Sequence, residues 1–414
     1  MSTVARVVES GEAGIVFASR WRVYVGVAVC IAIAMLDGFD VQAAGLAAPL
    51  FRAEFDLGAV QTGQIFSAAQ VGFVLGALIG GALSDRIGRR NTLLLGTCIM
   101  GLFALVTALS GGFLPLLACR FLTGIGIGII VVNLISVVTE IAPSQHRAKL
   151  VSLALAGLPL GGALAAVVGH EVIDHGGWRM LFVTGGILPL IVAPMLLVIP
   201  NRRTGHNIVE SNQVNWGEAL FGHGRALPTL LLWLALFLGS CVLYLVVNWL
   251  PTLMTQRGHD IAFAHGASAV FSIGGSIGAV IIGVLVDRFG YRLVLPPCFA
   301  SIIVGIAGLA FFDLPNLIRA SAFLTGFLVL GTGYSLFSLA PFVYPSTARG
   351  TGTGVAVAVG RAGSIVGPLL GGYLLAVSTS AASGAINVLL ATVPLSLASA
   401  LAAFVLTRRV NLDE

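Results

Sequence analysis

Gly80-Gly81-Ala82-Leu83-Ser84-Asp85-Arg86-Ile87-Gly88-Arg89-Arg90 returns further along the chain as Ile282-Gly283-Val284-Leu285-Val286-Asp287-Arg288-Phe289-Gly290-Tyr291-Arg292. Asp85 and Asp287 are 202 residues apart. In both copies an apolar run ends in an acid, a base, a glycine and at least one further arginine. A second echo pairs Leu158-Pro159-Leu160-Gly161-Gly162 with Pro368-Leu369-Leu370-Gly371-Gly372, also about half a chain on. Two homologous halves are the simplest explanation.

The residues around these landmarks fix the solvent. Hydrophobic residues are 57% of the 414, and charged residues only 9%, against roughly 25% charged in a soluble domain. Such a chain cannot cover a water-exposed surface, and it is too apolar to be disordered. A soluble enzyme and a nucleic-acid binder are both excluded. Apolar runs of about 20 residues, the length one membrane-crossing helix needs, fill most of the sequence. They are continuous, as in Leu230–Leu250, and lack the strict alternation of a membrane β-barrel. The sequence predicts twelve spans, at 22–48, 60–84, 92–110, 113–138, 149–172, 179–199, 228–254, 264–286, 293–312, 318–340, 351–376 and 384–406.

The basic residues test this count independently. With the N-terminus in the cytoplasm, sixteen of the 22 fall in inside segments, and Arg52, Arg179, Arg257 and Arg319 fall outside. Arg120 and Arg361 lie within spans. The asymmetry matches the positive-inside rule and puts both termini in the cytoplasm. The expected fold is therefore an all-α membrane protein: twelve transmembrane helices in two pseudo-symmetric six-helix bundles, 1–200 and 228–414, joined by a cytoplasmic linker at 201–227. Transporters are commonly built from such repeats, with the substrate near the midplane between them.

The D-R-x-G-R-R loop and its second copy resemble the signature of the major facilitator superfamily, and the resemblance covers essentially the whole chain. Asp37-Gly38-Phe39-Asp40 is similar to the D-G-x-D of that superfamily's aromatic acid:H⁺ symporters. Arg120-Phe121-Leu122-Thr123-Gly124-Ile125-Gly126, Asn248-Trp249-Leu250-Pro251-Thr252 and Gly360-Arg361 resemble further parts of the symporter pattern. The resemblance implies alternating access, with Gly81, Asp85, Arg86, Gly88, Arg89 and Arg90 as a cytoplasmic latch between the halves. Asp287 and Arg288 would form its weaker second copy.

A charge in hydrocarbon costs roughly 2.5–3.5 kcal/mol on insertion scales, so each one in a span needs a reason. Asp37 and Asp40 are three residues apart on one helix and share nearly one face. Two carboxylates in a low-dielectric site repel each other, and taking up a proton relieves the repulsion. They read as a proton-coupling pair, or else as partners in a structural ion pair. Arg361 has no acid within helical reach on its own span. Its planar fork fits a carboxylate with two hydrogen bonds, so it reads as an anchor for an acidic substrate, with an inter-helix salt bridge as the plain alternative. Arg120 is the second candidate anchor, or a tie to the acids of the first span. Asn248, Tyr244, Trp249, Tyr334 and Phe337 are candidate walls for a ring. Glu140 is expected to pair with Arg147 or Lys149. Gly72, Gly76 and Gly80 form a double G-x-x-x-G, a close-packing face.

These readings converge on a proton-coupled importer of an aromatic or related organic carboxylate. It would work as a monomer in the cytoplasmic (inner) membrane, with protons, the small-molecule acid and the lipid bilayer as its partners. The alternatives are a porter on the same scaffold for a sugar, a non-aromatic anion or an exported drug. No cofactor, metal site or nucleic-acid partner is expected. The single lysine, Lys149, follows Ala148, so there is no phosphate-binding P-loop. The five cysteines show no ligand spacing.

Overall fold

The computed structural model describes residues 20–141, 150, 153–154, 156–199, 216–222, 224–344 and 349–410. Among these the regular structure is entirely helical. The helices are α1 (Arg20–Glu54), α2 (Ala59–Ile87), α3 (Arg89–Ala108), α4 (Phe113–Ile141), α5 (Gly157–Val192), the short α6 (Trp216–Phe221), α7 (Ala226–Gln256), α8 (Ile261–Phe289), α9 (Tyr291–Phe311), α10 (Pro315–Val343), α11 (Arg349–Val377) and α12 (Ala381–Arg409). Several outrun the apolar stretches that announced them, because a helix can continue past the hydrocarbon edge into water. Eleven helical segments of the described residues are long and apolar enough to cross a membrane, and Gly157–Gly169 is a shorter apolar one. The start of the span expected at 149–172 falls largely outside the described residues, as does most of the 201–227 linker.

α5 holds two arms. Its geometry breaks at Gly177, at φ 68° and ψ −173°, a left-handed conformation that glycine adopts without a Cβ penalty. The first arm runs along α1: a Cβ on Gly157 would touch Ile31, and one on Gly161 would touch Met35. The second arm returns past α1, with Gly185 against Phe39. Trp178 sits edge-on to Phe51, Phe55 and Phe182 at the turn. A 3₁₀ segment, Ala193–Val198, extends the returning arm.

The repeat seen in the sequence is also a repeat in backbone geometry. Gly88 separates α2 from α3 with φ 86° and ψ 155°, and Gly290 separates α8 from α9 with φ 80° and ψ 157°. α2 packs tightly on α4 because glycines let the backbones meet. A Cβ on Gly72 would stand 2.0 Å from the Phe121 carbonyl oxygen, and one on Gly76 would stand 2.1 Å from that of Ile125. Their counterparts 202 residues on, Gly274 and Gly278 in α8, meet the carbonyls of Phe323 and Phe327 in α10 in the same way. Lipid offers no hydrophobic drive between helices, so van der Waals contact at such faces holds them together. Pro49 in α1 and Pro251 in α7 also share the 202-residue offset.

The halves meet where α2 packs on α11, α5 on α8, and α1 on α7. The joining hydrogen bonds run from Ser67 to the Ile365 carbonyl (2.7 Å), Ser364 to Gln70 (3.1 Å) and Ser272 to Gln42 (3.3 Å), and His265 Nε2 contacts the Leu46 carbonyl oxygen at 3.1 Å. Phe66 lies edge-on to Trp249, with ring centroids 5.3 Å apart. These contacts sit between mid-helix and the ends where α1, α7 and α11 finish. At the opposite end Asp85, Arg86, Asp287 and Arg288 are exposed.

Candidate functional site

A polar cavity lies at the junction of α1, α2, α4, α7 and α11. It encloses about 400 Å³ of empty space, its open mouth included, and every ionisable side chain on its wall is one the sequence singled out: Asp37, Asp40, Arg120, Tyr244 and Arg361, with Asn248 beside them. Helical spacing places Asp37, Asp40 and Val41 on the inward face of α1, and Tyr244 and Asn248 one turn apart on α7. The Asn248 amide donates to the Tyr244 carbonyl at 2.8 Å.

The four formal charges divide into one closed pair and one open pair. Arg120 grips Asp40 with both arms of its fork, Nη1 to Oδ1 at 2.8 Å and Nη2 to Oδ2 at 2.5 Å. Both side chains are 2% exposed, and the guanidinium lies over the Phe182 ring, 5.5 Å from its centroid. Arg120 thus ties α4 to α1 within the first half, with both terminal nitrogens of its fork on Asp40. The pairing also ties up Asp40. Asp37 differs. It is 4% exposed and has no hydrogen-bond partner or ion pair among the described residues. It lies within electrostatic reach of both Asp40 and Arg361.

Arg361 enters the same cavity from the second half. Its Nη1 donates to the Tyr244 hydroxyl at 2.9 Å. Its guanidinium stacks on Phe73 of α2, 3.8 Å from the ring centroid, a cation–π contact across the interface between halves. The side chain is half-buried and, among the described residues, makes no ion pair. An acid and an arginine from opposite halves therefore face one cavity without closing on each other.

A second lobe, about 470 Å³ of empty space with its open mouth included, adjoins the first and shares Val41 and Tyr244 with it. Tyr334 lines this lobe and lies within electrostatic reach of Tyr244, Asp37 and Arg361. Two of the expected ring walls sit elsewhere. Trp249 is fully buried, donates its indole N–H to the Pro368 carbonyl at 3.0 Å and buttresses Phe66, which does face the cavity. Phe337 packs against Gly360. Glu140 pairs with Arg89 at 2.8 Å; its expected partners Arg147 and Lys149 lie outside the described residues. Gly81 has open space around it, Arg90 bonds Asn91, and Asp85 makes no ion pair among the described residues. The residues expected to form a latch thus share one end of the molecule, and among the described residues they engage no partner from the other half.

Sequence reasoning missed Gln70, Phe66 and Phe73 on the first lobe and Gln42 on the second. The glutamines carried a signal, since each is a polar side chain inside an apolar run. The phenylalanines carried none.

The model of the Major Facilitator Superfamily matches residues 30–346 and 267–413. The chain is 35% identical to the 3-(3-hydroxy-phenyl)propionate transporter of Escherichia coli, over 94% of this chain and 96% of that one. It is 32% identical to the 4-hydroxybenzoate transporter of Pseudomonas aeruginosa, over 86% of each. Among solved structures it resembles a D-xylose–proton symporter, with a TM-score of 0.78 at 18% identity over 94% of this chain and 98% of that one.

Proposed function

The chain belongs to the major facilitator superfamily and is a multi-pass membrane transporter rather than an enzyme, and on that premise we propose that it imports an aromatic carboxylate together with a proton. The fold in this reading is twelve spans in two bundles, 1–200 and 228–414, rocking about the cavity, with both termini and the 201–227 linker in the cytoplasm of a cell whose inner membrane it crosses. The relatives named for hydroxyaryl acids support the substrate class.

One observation carries the mechanism: Arg361 and Asp37 share a cavity from opposite halves without forming an ion pair. An ionised Asp37 competes for the Arg361 fork. A proton on Asp37 removes the competitor and leaves the guanidinium for the substrate carboxylate. Proton and acid then ride together, because the site is best neutralised when both are present. The Tyr244 hydroxyl and the Phe73 ring hold the guanidinium in place, so the fork is preorganised. Asp40 and Arg120 keep α1 and α4 aligned beneath it. With the junction closed at the far ends of α1, α7 and α11, and the latch end unengaged, this conformation opens to the cytoplasm.

The test is binding of an aromatic acid and its neutral amide to the wild type and to Arg361→Ala and Arg361→Lys. Arg361→Ala should lose the acid and leave the weakly bound amide little changed. Arg361→Lys keeps the charge, loses the fork, and should still weaken the acid by roughly tenfold or more. Equal losses for acid and amide would make Arg361 a structural tether.

A further inference from the structure

The second lobe differs chemically from the first. Among the described residues no charged side chain lines it. Its walls are apolar, formed by Leu158, Pro159, Leu243, Phe271 and Leu330 among others. Its polar side chains are Tyr244 and Tyr334, on the side shared with Arg361, and the pair Gln42 and Ser272. Gln42 and Ser272 are 3% and 4% exposed, and the Ser272 hydroxyl donates to Gln42 Oε1 at 3.3 Å.

That pair is under-used. Among the described residues no hydrogen bond engages the carboxamide nitrogen of Gln42, and the residue lines the lobe. The valence count survives turning the amide over: at least one donor and one acceptor remain free either way. A hydroxyl is both donor and acceptor and fits such a pair. A second carboxylate does not, because the lobe offers it no cation and would strip its hydration. Asp37, beside Arg361, and Gln42 are five residues apart on α1, about 7.5 Å along the axis, which is roughly the length of a small aromatic acid.

Resting on the proposed carboxylate anchor at Arg361, we propose that the second lobe houses the substrate's ring and that Gln42 with Ser272 reads a neutral hydroxyl on it. The preferred substrates are then hydroxylated aromatic monocarboxylates, over their unsubstituted parents and over dicarboxylates. The reader also bridges α1 and α8, so a substrate that engages it touches both halves.

The experiment measures the affinities of two matched pairs, 4-hydroxybenzoate with benzoate and 3-(3-hydroxyphenyl)propionate with 3-phenylpropionate, and of cis,cis-muconate. The proteins are the full-length wild type, Ser272→Ala and Gln42→Met. In at least one pair the wild type should favour the hydroxylated acid by roughly fivefold or more, the worth of one net hydrogen bond, and should bind muconate weakly. Each variant should bring that ratio to within about twofold of unity while keeping the affinity for the unsubstituted acid, which also reports that it has folded. A wild type that prefers neither member of either pair, a ratio that persists in both variants, or tight muconate binding would overturn the assignment. Failure of the underlying anchor looks different: no aromatic acid binds the wild type, or the acids bind Arg361→Ala as well as the wild type, and both inferences fall together.

Discussion

Asp37 and Asp40 carry the same side chain three residues apart, yet their surroundings give them opposite work. Asp40 is half of a buried, bidentate ion pair. Removing one member of such a pair leaves an uncompensated charge and costs about 3–5 kcal/mol. Asp40→Asn is therefore expected to lower the melting temperature of the purified protein by several degrees, and transport would fall with the fold. Asp37 holds no partner among the described residues, so Asp37→Asn should melt close to the wild type while abolishing proton-driven accumulation. Thermal unfolding and uptake measured on the same two variants decide this. Equal destabilisation by both substitutions would mean that Asp37 is also structural. These charges were legible in the sequence because each one inside an apolar run costs energy and so announces itself. Which acid takes which arginine was not legible. That choice depends on where α4 and α11 stand against α1, and helical spacing within one span says nothing of it.

At the scale of helices, the glycines of α2 separate into packing and non-packing positions. A Cβ at Gly76 would stand 2.1 Å from the Ile125 carbonyl oxygen of α4, whereas at Gly81 there is nothing within 4 Å. Gly76→Ala should thus force α2 from α4 and destabilise by about 1–3 kcal/mol. Gly81→Ala should leave the fold as stable or slightly more so, since alanine is the better helix former. If Gly81 belongs to the latch, that variant will nevertheless turn over slowly, because the close approach it serves occurs in the other conformation. A melting curve separates the two variants, and an unfolded Gly81→Ala would contradict the packing. The spacing Gly72-x-x-x-Gly76-x-x-x-Gly80 made the packing face readable. The hydroxyl-reading lobe was hidden for the opposite reason: Leu158, Leu243, Phe271 and Leu330 are apolar residues in apolar spans, and nothing in a sequence distinguishes a cavity wall from a lipid-facing side chain. Trp249 misled for a related reason, since an aromatic ring next to Asn248 can equally well face a cavity or buttress another helix.

At the scale of the molecule, the 202-residue offset runs from sequence into geometry. Asp85 and Asp287, Gly88 and Gly290, Gly76 and Gly278, and Pro49 and Pro251 are pairs in both. The doubled architecture was thus readable, because two copies of one chain segment must solve the same packing problem twice. The site breaks the symmetry: the acids lie on α1 and Arg361 on α11, so in the proposed mechanism cargo and proton are held from different halves. The proposed orientation rests on the basic residues. A cysteine placed at Asp313, in the loop between α9 and α10, should react with an impermeant maleimide applied outside intact cells, and one at position 210 should not. The reverse pattern would overturn the proposed orientation.

The coupling of acid to proton is the central claim, and it has a confounder. The neutral form of an aromatic acid crosses lipid unaided and collects on the alkaline side of any pH gradient. The decisive measurement is therefore accumulation of a labelled hydroxyaryl acid in proteoliposomes under an inward proton gradient, compared between the wild type and Asp37→Asn at equal protein content, with protein-free liposomes as the baseline. Wild-type vesicles should fill at an initial rate well above the baseline and lose that excess when a protonophore collapses the gradient, while Asp37→Asn vesicles should stay at the baseline. Accumulation by Asp37→Asn that matches the wild type and still depends on the gradient would contradict the account.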